Sequence, residues 1–144
     1  MADTKYESKI GQIYSSAEVV YSVLSNLENL QRFTDSIPKD KIQELEISTD
    51  CIRIKVDGLA QKLSIRIVEK EENKTLKFGI ENLPIAANFW IQLKEVSEQD
   101  TRIKLTIKAD IPMMFKMMFE KKLQDGLNQA VDMLCQVPYD KWIK

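Results

Sequence analysis

The spacing of apolar residues changes twice along the chain. Residues Lys5 to Tyr14 alternate imperfectly and read as a first strand. In Ser15 to Leu27, Val20, Val23, Leu24 and Leu27 recur at helical spacing. Ser15 followed by Glu18 has the form of a capping box at the start of that helix. A second short helix is expected over Asn29 to Phe33, before the Ser36-Ile37-Pro38 break. From Lys41 to Ile111 the period is two. The apolar sets are Leu45 and Ile47; Ile52, Ile54 and Val56; Leu63, Ile65 and Ile67; Leu76, Phe78 and Ile80; Phe89, Ile91 and Leu93; and Ile103, Leu105, Ile107 and Ala109. Turn residues separate them at Thr49-Asp50, Asp57-Gly58, Glu71-Glu72-Asn73, Asn82-Leu83-Pro84 and Ser97 to Asp100. Short turns between successive strands imply an antiparallel meander, with charged residues on one face and the other face covered.

The cover is a helix predicted over Pro112 to Val137, with Asp110 as its cap. At about 100° per residue, Phe119, Leu123, Leu127, Ala130 and Leu134 share one stripe. The expected fold is therefore α+β: a curved antiparallel sheet wrapped around a long C-terminal helix, with two short helices after the first strand. A chain of 144 residues suits one such domain, spanning 1–144.

The long helix does not keep one pattern throughout. Every methionine except the initiator lies on it: Met113, Met114, Met117, Met118 and Met133. Methionine suits irregular or adaptable apolar surfaces. Met113 and Met117 lie to one side of the stripe, Met114 and Met118 to the other, and Lys116 falls on it. Three arrangements answer to this: burial all round under the N-terminal helices and loops, an adaptable rim at a cavity mouth, or an exposed patch for a homodimer partner or a membrane surface. Further along, Gly126 and Ala130 lie one turn apart on the side expected to face the sheet. A helical glycine costs roughly 1 kcal/mol against alanine. Close helix–sheet approach or volume left for a ligand would account for it.

Composition removes several chemistries. There is no histidine, so the commonest general base and zinc ligand is missing. Cys51 and Cys135 are far apart and form no metal-binding spacing, so reduced buried or half-buried thiols are expected. Neither a metal nor a cofactor is expected. The net charge of −1 gives no basic excess for a nucleic-acid partner. The opening MADTKYESK has no apolar core of a secretory signal, and no run reaches the length of a spanning helix. A cytoplasmic protein is the expectation.

The element order, together with SSAEVVYSVLSNLENLQRF, resembles the START-like or Bet v 1-like helix-grip superfamily, also called SRPBCC or polyketide cyclase-like. The matching residues are Ala17-Glu18-Val19-Val20-Tyr21 after the first strand and the step from Leu24-Ser25 to Asn29-Leu30. Tyr21 and Phe33 stand where many members carry tryptophan. The resemblance implies a deep cavity between sheet and long helix, used for hydrophobic ligands.

Read on this chain, the inward phase of the strands is almost wholly apolar. The expected ligand-binding residues are Ile54, Leu63, Ile65, Phe78, Ile80, Phe89, Ile91 and Ile107 on the sheet, with Phe115, Met118, Phe119 and Leu123 on the helix. Gln61, Glu69, Asn82 and Glu95 fall in the same phase near strand ends, and Gln61 and Asn82 are candidates to orient a ligand's polar end. No mid-strand acid or base is evident and no catalytic residue is assigned. The leading expectation is a non-enzymatic binder of a small hydrophobic or amphipathic molecule. The alternatives are a cyclase- or dehydratase-type enzyme, which needs a buried carboxylate, tyrosine or arginine in the pocket, and an interaction module docking through the methionine-rich helix start. Trp90 is expected on the outer face, and the tail YDKWIK either folds back on the sheet edge or lies free.

Overall fold

A computed structural model describes residues 4–30, 43–55, 62–82 and 86–142; the side chains of residues 30, 43–45, 115, 119 and 142 are outside that description. The elements are β1 (Thr4–Glu7), β2 (Gly11–Ile13), α1 (Ala17–Leu24), a 3₁₀ turn (Leu27–Leu30), β3 (Gln43–Ile47), β4 (Cys51–Lys55), β5 (Leu63–Glu71), β6 (Thr75–Glu81), β7 (Ala87–Ser97), β8 (Asp100–Ala109), α2 (Met113–Cys135) and α3 (Tyr139–Trp142). The strands form one antiparallel sheet in the order β1-β8-β7-β6-β5-β4-β3, with β2 also paired to β8. This is the expected meander, closed at one edge by the N-terminal strands. The second short helix appears as the 3₁₀ turn at Leu27–Leu30; its expected continuation to Phe33, the Ser36-Ile37-Pro38 break, Val56, the Asp57-Gly58 turn, Gln61 and Leu83-Pro84 lie outside the described residues.

The first strand is two strands, and the reason is Ser8. Glu7 and Gly11 are four positions apart, whereas their partners Thr106 and Ile103 are three apart, so the edge carries one extra residue. Ser8 fills the gap. Its N–H donates to the Leu105 carbonyl, and its Oγ accepts the Leu105 N–H, both at 2.8 Å. A side-chain oxygen thus replaces a missing ladder carbonyl, and the strand bends without stranding a buried amide.

Helix starts depart from expectation by a residue or two. Ser16, not Ser15, is the N-cap of α1: its Oγ accepts the Val19 N–H at 3.3 Å. Ser15 is buried, and its carbonyl accepts the Thr101 hydroxyl at 2.7 Å. Asp110 does not cap α2. Its N–H donates to the Ala86 carbonyl at 3.0 Å, prolonging the strand-like run, and Pro112 occupies the cap position with no side-chain hydrogen bond. Proline suits this place because the first helical amides have no intrahelical acceptor.

The C-terminal half of α2 is pinned to the β1–β2 edge. Gln124 Nε2 donates to the Glu7 carbonyl at 2.6 Å, and the Lys9 N–H donates to Asn128 Oδ1 at 2.8 Å. Leu127 and Val131 are buried, and Leu123, Ala130 and Leu134 pack partly against the core, so from Leu123 onward the expected stripe holds, with Val131 added; the Phe119 side chain lies outside the description. Gly126 is not on the covered side: it is exposed, and a Cβ there would meet nothing within 4 Å. The glycine at the close approach is Gly11, directly under Val131 and Cys135. The tail folds back. Tyr139 is buried at 1% exposure, and its hydroxyl donates to the Leu134 carbonyl at 2.6 Å, placing α3 against α1.

On the outer face, Lys77–Glu69, Arg66–Glu81, Lys104–Glu7 and Lys62–Glu46 form solvated ion pairs. Trp90 lies there as expected, with Lys77 and Lys108 Nζ 5.5 and 5.7 Å from its ring centre. Cys51 is buried and Cys135 half-buried, both as free thiols. Among the described residues, no helix is long and apolar enough to cross a membrane.

Candidate functional site

Strand register sorts the inner face of the sheet into rungs, because directly paired residues share a face. At one end stand Gly11–Ile103–Leu93 and Leu105–Ile91–Leu76. These side chains belong to one buried cluster with residues of α1, α3 and the end of α2; Ile103 and Leu76 have no exposed surface. This end is packed core.

The middle rung is Tyr6–Ile107–Phe89–Phe78–Ile67. Tyr6, Phe78 and Ile67 are buried, whereas Ile107 and Phe89 are partly exposed. The Phe78 and Phe89 rings lie 5.5 Å apart at a tilt of 47°, a favourable aromatic pair. The next rung is Ala109–Ala87–Ile80–Ile65–Ile52, and beyond it come Leu63 and Ile54. Here every isoleucine and leucine is partly exposed, and two short alanines sit between Ile80 and the β1 edge. The inner face thus changes along its length from closed core to an apolar surface that the protein's described side chains only partly cover.

The sheet residues expected to line a site therefore come together at this open end: Ile54, Leu63, Ile65, Ile80, Phe89 and Ile107, with Phe78 as floor. Ile91 belongs instead to the packed end, at 7% exposure. Leu123 packs partly against the core from the helix side. Phe115 and Phe119 lie in the first turns of α2, and their side chains are outside the described residues. Met113, Met114, Met117 and Met118 are exposed at 84, 77, 89 and 64%. That removes burial all round from the three arrangements.

Three of the polar residues placed near the site by strand phase, Glu69, Asn82 and Glu95, are elsewhere. Between β5 and β6 the register slips, so Ile67 faces Phe78 but Glu69 faces Lys77. Val68 is the extra residue, and from there the phase is inverted; Glu69 reaches the outer face and pairs with Lys77. Asn82 adopts a φ of 70° and is exposed, with its side-chain amide donating to the Lys62 carbonyl at 2.7 Å. It shapes a turn. Glu95 Oε1 accepts the Ala17 N–H at 3.0 Å and ties the start of α1 to the sheet. An open groove of 640 Å³ lies beside that start, lined by Glu18, Glu71, Lys74, Lys94 and Glu95 among others. It is solvated and of mixed charge, unlike the apolar face.

Sequence reasoning missed Tyr6. Its side chain is 5% exposed on the middle rung, and its hydroxyl is the only buried side-chain polar atom without a hydrogen-bond partner among the described residues. Burial pushes the phenol's pKa up, and the Glu120 carboxylate on α2 adds to the shift. At neutral pH it is therefore a protonated donor.

No family model and no curated protein sequence matches this chain. Solved structures do. Norcoclaurine synthase from Thalictrum flavum, in complex with dopamine and hydroxybenzaldehyde, superposes with a TM-score of 0.69 at 14% identity, covering 94% of this chain and 87% of that one. A protein from Thermobifida fusca gives 0.66 at 14% identity, with 96% and 94% covered. A conserved protein from Geobacillus kaustophilus gives 0.62 at 15% identity, with 95% of each covered. The chain therefore has the Bet v 1-like helix-grip fold, as the resemblance in its element order and N-terminal segment implied.

Proposed function

We propose that this protein binds a small hydrophobic or amphipathic molecule between the open end of the sheet and the first half of α2, without transforming it. One observation carries the reading: an apolar inner face fully packed at one end and left partly exposed at the other. A ligand laid on Ile65, Ile80, Phe89 and Ile107 would remove that surface from water at roughly 25 cal/mol per Å². Pockets with apolar walls and few polar groups are the general pattern for such ligands. Norcoclaurine synthase, of the same fold, is known in complex with two small aromatic molecules, so aromatic compounds are a sensible start for a ligand screen. A cyclase- or dehydratase-type reaction is the alternative. Tyr6 supplies the buried tyrosine that it needs, but a protonated phenol donates and does not abstract at neutral pH, and acid–base work asks for a second group.

The test is native mass spectrometry of protein purified from its own host, followed by thermal-shift screening of small apolar and aromatic compounds. Co-purified ligand, or stabilisation that saturates with concentration, is expected. Empty protein with no response to any compound would overturn the reading.

A second reading is favoured by the exposed methionines. Met113, Met114, Met117 and Met118 surround the first turns of α2, and Lys116, Lys121 and Lys122 stand among them. This composition suits docking on an anionic membrane surface. The double substitution Met114→Lys and Met118→Lys should reduce co-sedimentation with phosphatidylserine vesicles while leaving the melting temperature in place. A change in sedimentation coefficient without vesicle binding would assign the patch to a second copy of the chain instead.

A further inference from the structure

Among the described residues, no side-chain oxygen or nitrogen sealed from solvent, other than the Tyr6 hydroxyl, lacks a hydrogen-bond partner. Ser8, Thr101, Thr106 and Tyr139 each have a partner at 2.6–2.9 Å. Tyr6 is the exception. A buried hydroxyl without a partner costs free energy that a phenylalanine of the same shape would not. An empty protein would fold as well or better with Phe at this position, so the oxygen calls for a role outside folding.

Its surroundings suggest one. Tyr6 pairs with Ile107, which pairs with Phe89, and the next rung holds the two alanines and Ile80. Tyr6 therefore stands on the rung where closed core gives way to partly exposed apolar surface. Glu120, an exposed residue of α2, places a negative charge near it. A ligand carboxylate at this point would meet that charge, whereas a neutral oxygen would not.

Resting on the ligand-binding reading above, we infer that Tyr6 is the polar anchor of the site: its hydroxyl donates a hydrogen bond to an uncharged oxygen acceptor, a carbonyl or hydroxyl, of a ligand whose apolar part lies on Phe89, Ile107, Ile80 and Ile65. The oxygen is sealed from bulk solvent. The ligand's oxygen would reach it only after the side chains that seal it move aside.

Three matched probes test this on the full chain: 2-acetylnaphthalene, 2-ethylnaphthalene and 2-naphthoate, titrated by calorimetry. The substitution Tyr6→Phe should weaken the ketone by about tenfold and change the hydrocarbon by less than about twofold. The carboxylate should bind more weakly than the ketone, and Glu120→Gln should narrow that gap. Without ligand, Tyr6→Phe should melt at or above the wild-type temperature. Equal effects of Tyr6→Phe on ketone and hydrocarbon would overturn the anchor while leaving the apolar site standing. A marked loss of stability in the empty variant would also overturn it, by showing that the hydroxyl serves the fold. Failure of both neutral probes to bind the wild type would remove the site and the anchor together.

Discussion

Gly11 and Val131 meet without room for a side chain between them: a Cβ on Gly11 would stand 2.5 Å from Cγ1 of Val131 and 2.6 Å from Sγ of Cys135. Val131 has no exposed surface, so it has little freedom to move aside. Gly11→Ala is expected to cost about 1–3 kcal/mol through overpacking. Urea denaturation should show a lower midpoint at unchanged slope. Val131→Ala in the same chain should recover part of the loss, because it removes one of the two clashing groups.

Ser8→Ala deprives the buried Leu105 N–H of its acceptor at 2.8 Å. A buried donor left unsatisfied costs about 1–3 kcal/mol. The same denaturation experiment measures this. Amide exchange at Leu105 should accelerate more than at Ile91, its neighbour across the sheet.

Tyr139 links pH to stability at the alkaline end. Burial holds its phenol well above the ordinary tyrosine value of 10.0, while in the unfolded chain that ordinary value returns. The folded state therefore keeps its proton when the unfolded state has lost it. The resulting stabilisation is present below pH 10 and declines as pH rises through and beyond that value. Tyr139→Phe should flatten this decline, and loss of the hydrogen bond to Leu134 should lower stability at neutral pH by about 0.5–1.5 kcal/mol. Thermal melts from pH 7 to 11 report both effects.

Ile80 is partly exposed at the open end of the inner face. Ile80→Gln should leave stability within about 1 kcal/mol of the wild type. It should weaken binding of 2-ethylnaphthalene by about tenfold, since the ligand loses apolar contact there. Ile10→Gln, at a position 66% exposed beside the β1–β2 break, is the control and should leave affinity unchanged.

The order of elements was legible because period-two and period-3.6 patterns are properties of neighbouring residues, and the meander turns are local. What was not legible depends on pairing between distant segments. Glu69 reads as inward until the extra residue Val68 inverts the phase, and nothing in Leu63–Glu71 alone marks that slip. Ser8 reads as a strand residue of no consequence until β8 supplies the amide that it accepts. Gly126 drew attention because helical glycine is costly, yet Gly11, at a strand start where glycine looks unremarkable, is the residue under pressure. Tyr6 was hidden for the same reason. Its face and its missing partner follow from the register with Ile107, which the bend at Ser8 sets. The methionines were visible from the start, but a helical wheel separates sides and cannot say whether anything covers them.

The graded packing of the inner face also divides the sheet dynamically. Amides at Leu76, Ile103 and Leu105 lie where side chains are buried, and their exchange with solvent is expected to require opening of the whole domain. Those at Ile65 and Ile80 lie under a partial cover and can open locally at lower free energy. The sheet, one hydrogen-bonded object, thus comprises a slow half and a fast half, and occupancy of the open end would be read as slowing confined to the fast half.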